Sequence, residues 1–227
     1  LTYGVEAFLS PEYARAERDL LWPKVWQMAG RLEDIPEVGN FITYNILDES
    51  IVIVRTGLDT LKAYYNVCPH RGRQLINTPD DVNCVRGKKQ NFVCGFHGWT
   101  YNLEGKNTFV LDPQDWKGAL NEERTCLSPL KVDTWGGWIY INMDPDCAPL
   151  LEFLGDAILG FVVCEMLFRM FPQYLEGELT KIKSVVVSRQ TCAKISEALG
   201  LQEFLILGKG MTTTPTVPPS VLADVFE

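Results

Sequence analysis

The sequence has little histidine and no excess of positive charge. Only 2 histidines occur in 227 residues, and 21 Lys and Arg stand against 29 Asp and Glu, so the net charge is −8. This balance excludes a surface that is basic throughout, although a local basic patch remains compatible with it. The 2 histidines also limit the number of imidazole-dependent metal sites that the chain can build.

Long apolar runs and a secretory signal are also absent. The longest apolar run, AILGFVVCEMLF, is too short to span a bilayer and contains Glu165. No charged segment precedes an apolar stretch with a small-residue cleavage site. The 7 cysteines are therefore expected to be reduced thiols, some of them metal ligands, in a cytoplasmic protein without a membrane partner. Because the chain runs from Leu1 to Glu227 without an initiator Met, we expect a fragment.

The first part of the sequence predicts one helix followed by mostly antiparallel strands. Ser10 and Pro11 are typical of a helix start, and this helix should end near Pro23. FITYNIL and SIVIVRT are β-branched and aromatic runs that should form a hairpin. Further strands are predicted at LKAYYNV, QNFVCGF and GGWIYINM, with a turn at NLEGK.

After Pro149 the apolar spacing becomes helical. It predicts one helix that ends near Phe171, a second over residues 178–199 that ends at Gly200, and a third that starts with Ser220 as its N-cap. TTTPTVPPS predicts a loop. The sequence therefore indicates an α+β fold class, in which an antiparallel β domain is followed by an all-α part, with the boundary near residue 149.

Both histidines lie beside cysteines, Cys68 and His70 in CPHRG and Cys94 and His97 in CGFHGW. Thiolate and imidazole ligands together indicate zinc or an iron–sulfur centre. Paired zinc ligands are usually separated by two to four residues, and only Pro69 separates Cys68 from His70. A Rieske [2Fe-2S] centre avoids this strain, because two thiolates bind one iron and two imidazoles bind the other. Zinc and metal-free Cys–His pairs remain alternatives.

The stretches YNVCPHRGRQL and FVCGFHGWTYNLEGK resemble the Rieske domain of the large subunit of ring-hydroxylating oxygenases. The resemblance covers about residues 1–149, a Rieske domain with an N-terminal helix, and makes DDVNCVRGKK an inserted loop. It implies an electron donor, ferredoxin or a reductase, and a [2Fe-2S] cluster bound by Cys68, His70, Cys94 and His97. In that family the electron passes to a mononuclear iron, which needs two histidines and a carboxylate. Both histidines are already assigned, so that iron site is absent from this chain.

Acidic pairs occur in the helical part. Glu152 and Asp156 are four residues apart in LEFLGDA, and Asp224 and Glu227 are three apart in LADVFE, so each pair lies on one helix face. Four carboxylates can hold a Mg²⁺ pair for phosphodiester hydrolysis by metal-activated water. Solvated helix faces are the alternative interpretation.

LEFLGDAILGFVV, LEGELTKIKSVVVSRQTCAKISEALGL and SVLADVFE resemble the ribonuclease III catalytic domain. The resemblance implies that residues 150–227 are a partial ribonuclease III-like helical domain, in which Glu152, Asp156, Asp224 and Glu227 are catalytic and bind Mg²⁺. Double-stranded RNA would be the partner, on or near a face carrying four basic residues: Lys181, Lys183, Arg189 and Lys194. Ordinary helix solubility explains these basic residues equally well.

Three interpretations of the whole chain follow. The favoured one is a Rieske-type oxidoreductase that transfers electrons as in aromatic-ring-hydroxylating oxygenases. Members of that family and of the ribonuclease III family are commonly homo-oligomers. The alternative is a Mg²⁺-dependent endonuclease of the ribonuclease III type. The third is a chimera without a single function, because oxygenase subunits continue DPDC with a segment resembling PLREFLG, which is close to the ribonuclease signature LEFLGDA. We therefore expect a join near residue 150.

Overall fold

The computed structural model describes residues 5, 9–79, 82, 84–205 and 217–226. The chain divides into two compact units, residues 1–147 and 148–227. Antiparallel strands dominate the first and helices make up the second, which confirms the predicted α+β fold class. Within the described ranges, no helix combines the length and the apolar character that a membrane span needs.

The first unit begins with α1 (Pro11–Ala16), whose first N–H groups are capped by the Ser10 side chain, 3.1 Å from the Glu12 nitrogen. A π-helical turn follows, and a 3₁₀ turn (Trp22–Lys24) containing Pro23 ends the run, as predicted. The strands and a short helix that complete the unit are β1 (Gln27–Arg31), β2 (Asn40–Ile46), β3 (Glu49–Arg55), β4 (Leu61–Tyr65), β5 (Arg86–Lys88), β6 (Asn91–Val93), β7 (Thr100–Asn102), β8 (Asn107–Phe109), α2 (Glu122–Thr125), β9 (Pro129–Trp135) and β10 (Trp138–Asn142).

These strands form two antiparallel sheets. Seven strands pair in the order β1-β10-β9-β4-β3-β2-β5, and β6-β7-β8 form a smaller sheet. The predicted hairpin is present, since β2 and β3 pair from Phe41 opposite Val54 to Ile46 opposite Glu49. The inserted segment DDVNCVRGKK is more than a loop. It contributes β5, which pairs with β2 and so satisfies the backbone groups of that strand.

Side-chain alternation in β3 supplies two separate cores. Val52 and Val54 pack in a cluster that includes Phe92 and Tyr101 of the small sheet together with Cys68 and Cys94. Ile51 and Ile53 point to the opposite face and pack with other isoleucines, Ile35, Ile42, Ile139 and Ile141. The two cysteines predicted as ligands are thus fixed in a core that lines one face of the large sheet.

The second unit contains four α-helices in its described part, α3 (Leu150–Met170), α4 (Glu176–Val186), α5 (Arg189–Leu199) and α6 (Pro219–Phe226). The prediction of one helix over residues 178–199 is wrong. The chain turns at Val187 and Ser188, and the Ser188 hydroxyl accepts a hydrogen bond from the Thr191 N–H at 3.4 Å as the N-cap of α5. Valines favour the helix weakly and serine favours its N-cap, so the break has a local cause.

The helix ends agree in part with the sequence pattern. Phe171 follows α3, and Gly200 ends α5 with a φ of +70°, both as predicted. The last helix starts at Pro219, so Ser220 lies in its first turn and is not the N-cap. Most of the predicted TTTPTVPPS loop falls in residues 206–216, outside the described residues. Cys192, Ala193, Leu222 and Ala223 form the core where α5 meets α6.

Candidate metal centre

Two loops of the first unit carry the four predicted cluster ligands. The loop after β4 carries Cys68 and His70, and the loop between β6 and β7 carries Cys94 and His97. Each cysteine N–H donates to the carbonyl five residues later, at 2.8 Å in both loops. Each cysteine carbonyl accepts from the N–H of the glycine four residues later, at 2.9 Å and 3.0 Å. The two loops therefore share one backbone design, although the histidine positions differ by one residue.

The glycines in that design are Gly72 and Gly98. Their φ angles are +71° and +69°, a left-handed conformation that other residues adopt at a cost. A Cβ atom on either glycine would meet no heavy atom within 4 Å. The backbone conformation, and not a lack of space, therefore explains why glycine closes each loop.

The four side chains separate into a buried pair and an outer pair. Cys68 and Cys94 are 1% and 3% exposed, and their thiols lie near each other. His70 and His97 are half-buried, with ring centroids 4.7 Å apart. The Nδ1 atom of His97 is buried and has no hydrogen-bond partner among the described residues. A buried imidazole nitrogen without a partner is costly, and a metal bond would remove that cost.

Protonation at the centre follows from burial. Burial raises the pKa of the Cys68 thiol, so its thiolate needs a compensating positive charge such as a metal. Burial lowers the pKa of His70, with smaller contributions from His97 and Arg71, which favours the neutral imidazole that binds metals. The structure therefore prepares His70 as a ligand in advance of the metal, whereas Cys68 requires the metal.

Aromatic residues that sequence reasoning missed surround the ligands. The Tyr101 hydroxyl lies 3.0 Å from the Cys68 sulfur. His70 stacks parallel to Trp99 at 4.8 Å, and Trp116 contacts both rings edge-on, at 5.3 Å from His70 and 5.6 Å from Trp99. Tyr101 follows the second ligand loop closely, so its position in FHGWTY was an available signal. Trp116 belongs to a separate 3₁₀ turn, and nothing local to the ligand motifs indicated it.

This donor set fits a two-iron cluster. In the part of the chain that the structure describes, no three His, Cys, Asp or Glu side chains gather as one metal ion would require. A Rieske cluster instead takes two thiolates at one iron and two imidazoles at the other. The thiol pair of Cys68 and Cys94 and the imidazole pair of His70 and His97 match that division.

In the second unit, two of the four predicted acids are brought together. The Arg189 Nη2 atom lies 3.3 Å from Glu152 Oε1 and 3.3 Å from Asp224 Oδ1. Asp156 is exposed on α3 and forms no ion pair with any described residue. Glu227 lies outside the described residues. Glu152 and Asp224 thus converge on one cation, the Arg189 guanidinium. Carboxylate oxygens are also the kind of donor that Mg²⁺ takes.

The four basic residues predicted near an RNA surface lie on two helices, two on α4 and two on α5. Lys181 and Lys194 are exposed and Lys183 is half-buried. Arg189 is paired with the acids, so its expected role at an RNA surface is not what this arrangement shows.

Two family models match the chain over separate stretches, one in each unit. The Rieske [2Fe-2S] domain model matches residues 25–115, and the Ribonuclease III domain model matches residues 150–227. The chain thus contains one match to each of the two families that its motifs resemble, and the second match begins at residue 150, where the join is predicted.

Curated relatives match each unit as well. The carnitine monooxygenase oxygenase subunit of Acinetobacter baumannii is 30% identical over 144 residues, 63% of this chain and 37% of that protein. The anthranilate 1,2-dioxygenase large subunit of Acinetobacter baylyi is 29% identical over 67% of this chain and 31% of that protein. Ribonuclease 3 of Rhodopirellula baltica is 56% identical over 77 residues, 34% of this chain and 29% of that protein. The chain spans about a third of the length of each.

Solved structures of Rieske oxygenases share the fold. The apo form of the quaternary ammonium Rieske monooxygenase CntA superposes with a TM-score of 0.61 at 28% identity, covering 74% of this chain and 45% of that one. Naphthalene 1,2-dioxygenase from Rhodococcus sp. bound to indole gives a TM-score of 0.58 at 26% identity, covering 68% and 34%.

Proposed function

We propose that residues 1–149 form a Rieske [2Fe-2S] domain with an N-terminal helix, and that the chain is a Rieske-type oxidoreductase. Cys68 and Cys94 bind one iron, and His70 and His97 bind the other. The observation that carries this proposal is the buried, unpartnered Nδ1 of His97, in a ring 4.7 Å from that of His70. The Rieske family match over residues 25–115 supports it.

The bound cluster supplies a one-electron redox centre, and the surrounding residues of the chain tune it. Once Cys68 is a thiolate, the Tyr101 O–H can only donate to its sulfur, and hydrogen bonds to cluster sulfurs influence the reduction potential. Trp99 and Trp116 cover two sides of the His70 ring and limit the access of water to it.

The electron donor in this proposal is a ferredoxin or a reductase, as in aromatic-ring-hydroxylating oxygenases. The chain has 2 histidines, and both serve the cluster. The two-histidine, one-carboxylate site for a mononuclear iron is therefore absent, and the electron must leave to an acceptor outside these residues. All 7 cysteines are free thiols, which supports a reducing, cytoplasmic location. A homo-oligomer, as in the related families, is part of the same proposal.

Metal analysis of the intact chain tests this function. After anaerobic purification or reconstitution, we expect a brown protein with about two irons and two acid-labile sulfides per chain, whose visible absorption bleaches on reduction. A colourless protein without iron would contradict the proposal. One tightly bound zinc per chain would favour the zinc alternative instead.

A second function is proposed for residues 150–227, the Mg²⁺-dependent cleavage of double-stranded RNA in the manner of ribonuclease III. Glu152, Asp156, Asp224 and Glu227 would hold the metal, which would supply the activation of water for phosphodiester hydrolysis. The convergence of Glu152 and Asp224 from two different helices on one cation favours it. The Ribonuclease III domain match over the same residues supports it.

The nuclease proposal predicts a large effect for Glu152→Gln. Removal of a metal-binding carboxylate should lower Mg²⁺-dependent cleavage of double-stranded RNA by roughly 100-fold or more. Mutation of residues that only orient a metal's ligands already lowers metal affinity or activity by about 10- to 100-fold. Glu165→Gln is the matched control, because Glu165 lies on the same helix and pairs with Arg169 at 2.6 Å, not with Arg189. Cleavage that is unchanged in Glu152→Gln, or that continues in chelator, would exclude this function.

A further inference from the structure

Arg189 links three helices of the second unit at one atom. It is the first residue of α5, directly after the N-cap Ser188. Its Nη2 atom contacts Glu152 from α3 and Asp224 from α6, at 3.3 Å each. Two acids of the proposed Mg²⁺ site, Glu152 and Asp224, are thus already paired with one cation, the Arg189 guanidinium.

A guanidinium and a divalent cation cannot occupy this place together. Mg²⁺ binds carboxylate oxygens at about 2.0–2.1 Å in near-octahedral geometry, so a Mg²⁺ ion bound to Glu152 Oε1 and Asp224 Oδ1 would enter the space that the Nη2 atom fills. Arginine stays protonated in proteins, so Arg189 cannot leave the site by losing its charge. It must instead rotate away, and its side chain is 64% exposed, which leaves solvent space for that rotation.

Asp156, the third acid of the proposed site that the structure describes, differs from Glu152 and Asp224 because it does not pair with Arg189. It lies one turn after Glu152 on α3 and is exposed, and its side chain makes no hydrogen bond or ion pair with another described residue. Its carboxylate is open to a cation from solvent, whereas those of Glu152 and Asp224 are engaged by Arg189. A metal that binds the same two oxygens therefore exchanges with Arg189 at two of these three carboxylates.

We propose that Arg189 is a built-in competitor for the divalent metal at the Glu152–Asp224 pair. This inference rests on the metal site proposed above for the second unit. In the metal-free chain, Arg189 pairs with both carboxylates, offsets one of their two negative charges and joins α5 to α3 and α6. It thereby sets the metal concentration at which the site fills.

Mn²⁺ binding to the full-length chain tests the competition. Free Mn²⁺ is measured by electron paramagnetic resonance during titration of the wild type, Arg189→Gln and Arg169→Gln. Exposed ion pairs each contribute little, so the loss of two should tighten Mn²⁺ binding by roughly 2- to 30-fold in Arg189→Gln. Arg169→Gln removes the same charge from a pair with Glu165 and should change the affinity less than about twofold.

Thermal unfolding gives a second readout that does not depend on activity. In chelator, Arg189→Gln should melt at a lower temperature than the wild type, because the link between the three helices is lost. Added Mn²⁺ should stabilise the variant more than the wild type, because tighter binding to the folded state shifts unfolding further. Arg189→Lys keeps a charge without the forked guanidinium and should bind Mn²⁺ with intermediate affinity, which preserves the test if Arg189→Gln does not fold.

The outcomes separate the inference from the function on which it rests. Tighter Mn²⁺ binding in Arg189→Gln and Arg189→Lys, but not in Arg169→Gln, supports the competitor. If the wild type binds Mn²⁺ and Arg189→Gln binds it equally or more weakly, the proposal that Arg189 competes with the metal is wrong, but the metal site itself is supported. No Mn²⁺ binding by the wild type or by any variant overturns both.

Discussion

We expect Cys94→Ser to yield a colourless chain, with iron and acid-labile sulfide at background. Cys94 is 3% exposed and its thiol lies near that of Cys68, so serine at this position would deprive the proposed cluster of one of its two thiolates. Thiolate is the soft ligand that iron–sulfur chemistry selects, and a serine hydroxyl is a poor replacement for it. The measurement is iron, sulfide and visible absorption after anaerobic reconstitution of the intact chain.

Cys147→Ser is the matched control for this experiment. Cys147 is half-buried, lies outside both ligand loops and follows the last strand of the first unit. Its substitution should leave two irons per chain and the visible spectrum intact. Retention of iron in Cys94→Ser, or an equal loss in both variants, would remove Cys94 from the ligand set. Far-UV circular dichroism of each variant separates ligand loss from unfolding.

Phe92→Ala should destabilise the first unit by about 3–5 kcal/mol, because it empties a fully buried aromatic site. Phe92 is 0% exposed and packs edge-to-face on Phe41, with ring centroids 6.3 Å apart. Phe92 lies on β6, two residues before Cys94, and belongs to the core that holds both thiols. Because whole domains are stable by only about 5–15 kcal/mol, this loss is a large share of the total.

Phe109→Ala provides the comparison for the core substitution. Phe109 lies on β8 of the same small sheet but is 52% exposed, so its truncation should change stability by less than about 0.5 kcal/mol. Denaturant unfolding is followed by the aromatic and cluster circular dichroism bands, which report on the first unit. Equal shifts of the midpoint in the two variants would contradict the core assignment. The helical signal of the second unit, a separate compact unit, serves as an internal reference.

The ligand loops were predictable because their determinants are local. A cysteine followed four residues later by glycine recurs in CPHRG and CGFHG, and the backbone hydrogen bonds close within those few residues. The helix start at Ser10 and the helix end at Gly200 were predicted correctly for the same reason, because capping depends on residues close in the sequence. The break at Ser188 had a local signal as well, but the continuous apolar spacing concealed it.

The features that the sequence did not reveal concern partners that are distant in it. The pairing of Arg189 with carboxylates of α3 and α6 was not foreseen, because helix periodicity alone cannot show it. Trp116 was missed because only the folded chain places it against His70. The segment around β5 was assigned to a loop because its pairing with β2 is a long-range contact.

The sequence by itself determined the two families, the four cluster ligands to be tested and the change of architecture near residue 149. These features depend on short motifs and on hydrophobic period, which are properties of neighbouring residues. Tertiary structure alone decided the separation of thiols from imidazoles, the contact of Tyr101 with Cys68 and the pairing of Arg189 with Glu152 and Asp224. The reason is physical, since burial and charge pairing depend on which distant elements pack together, and the pattern of one segment does not contain that information.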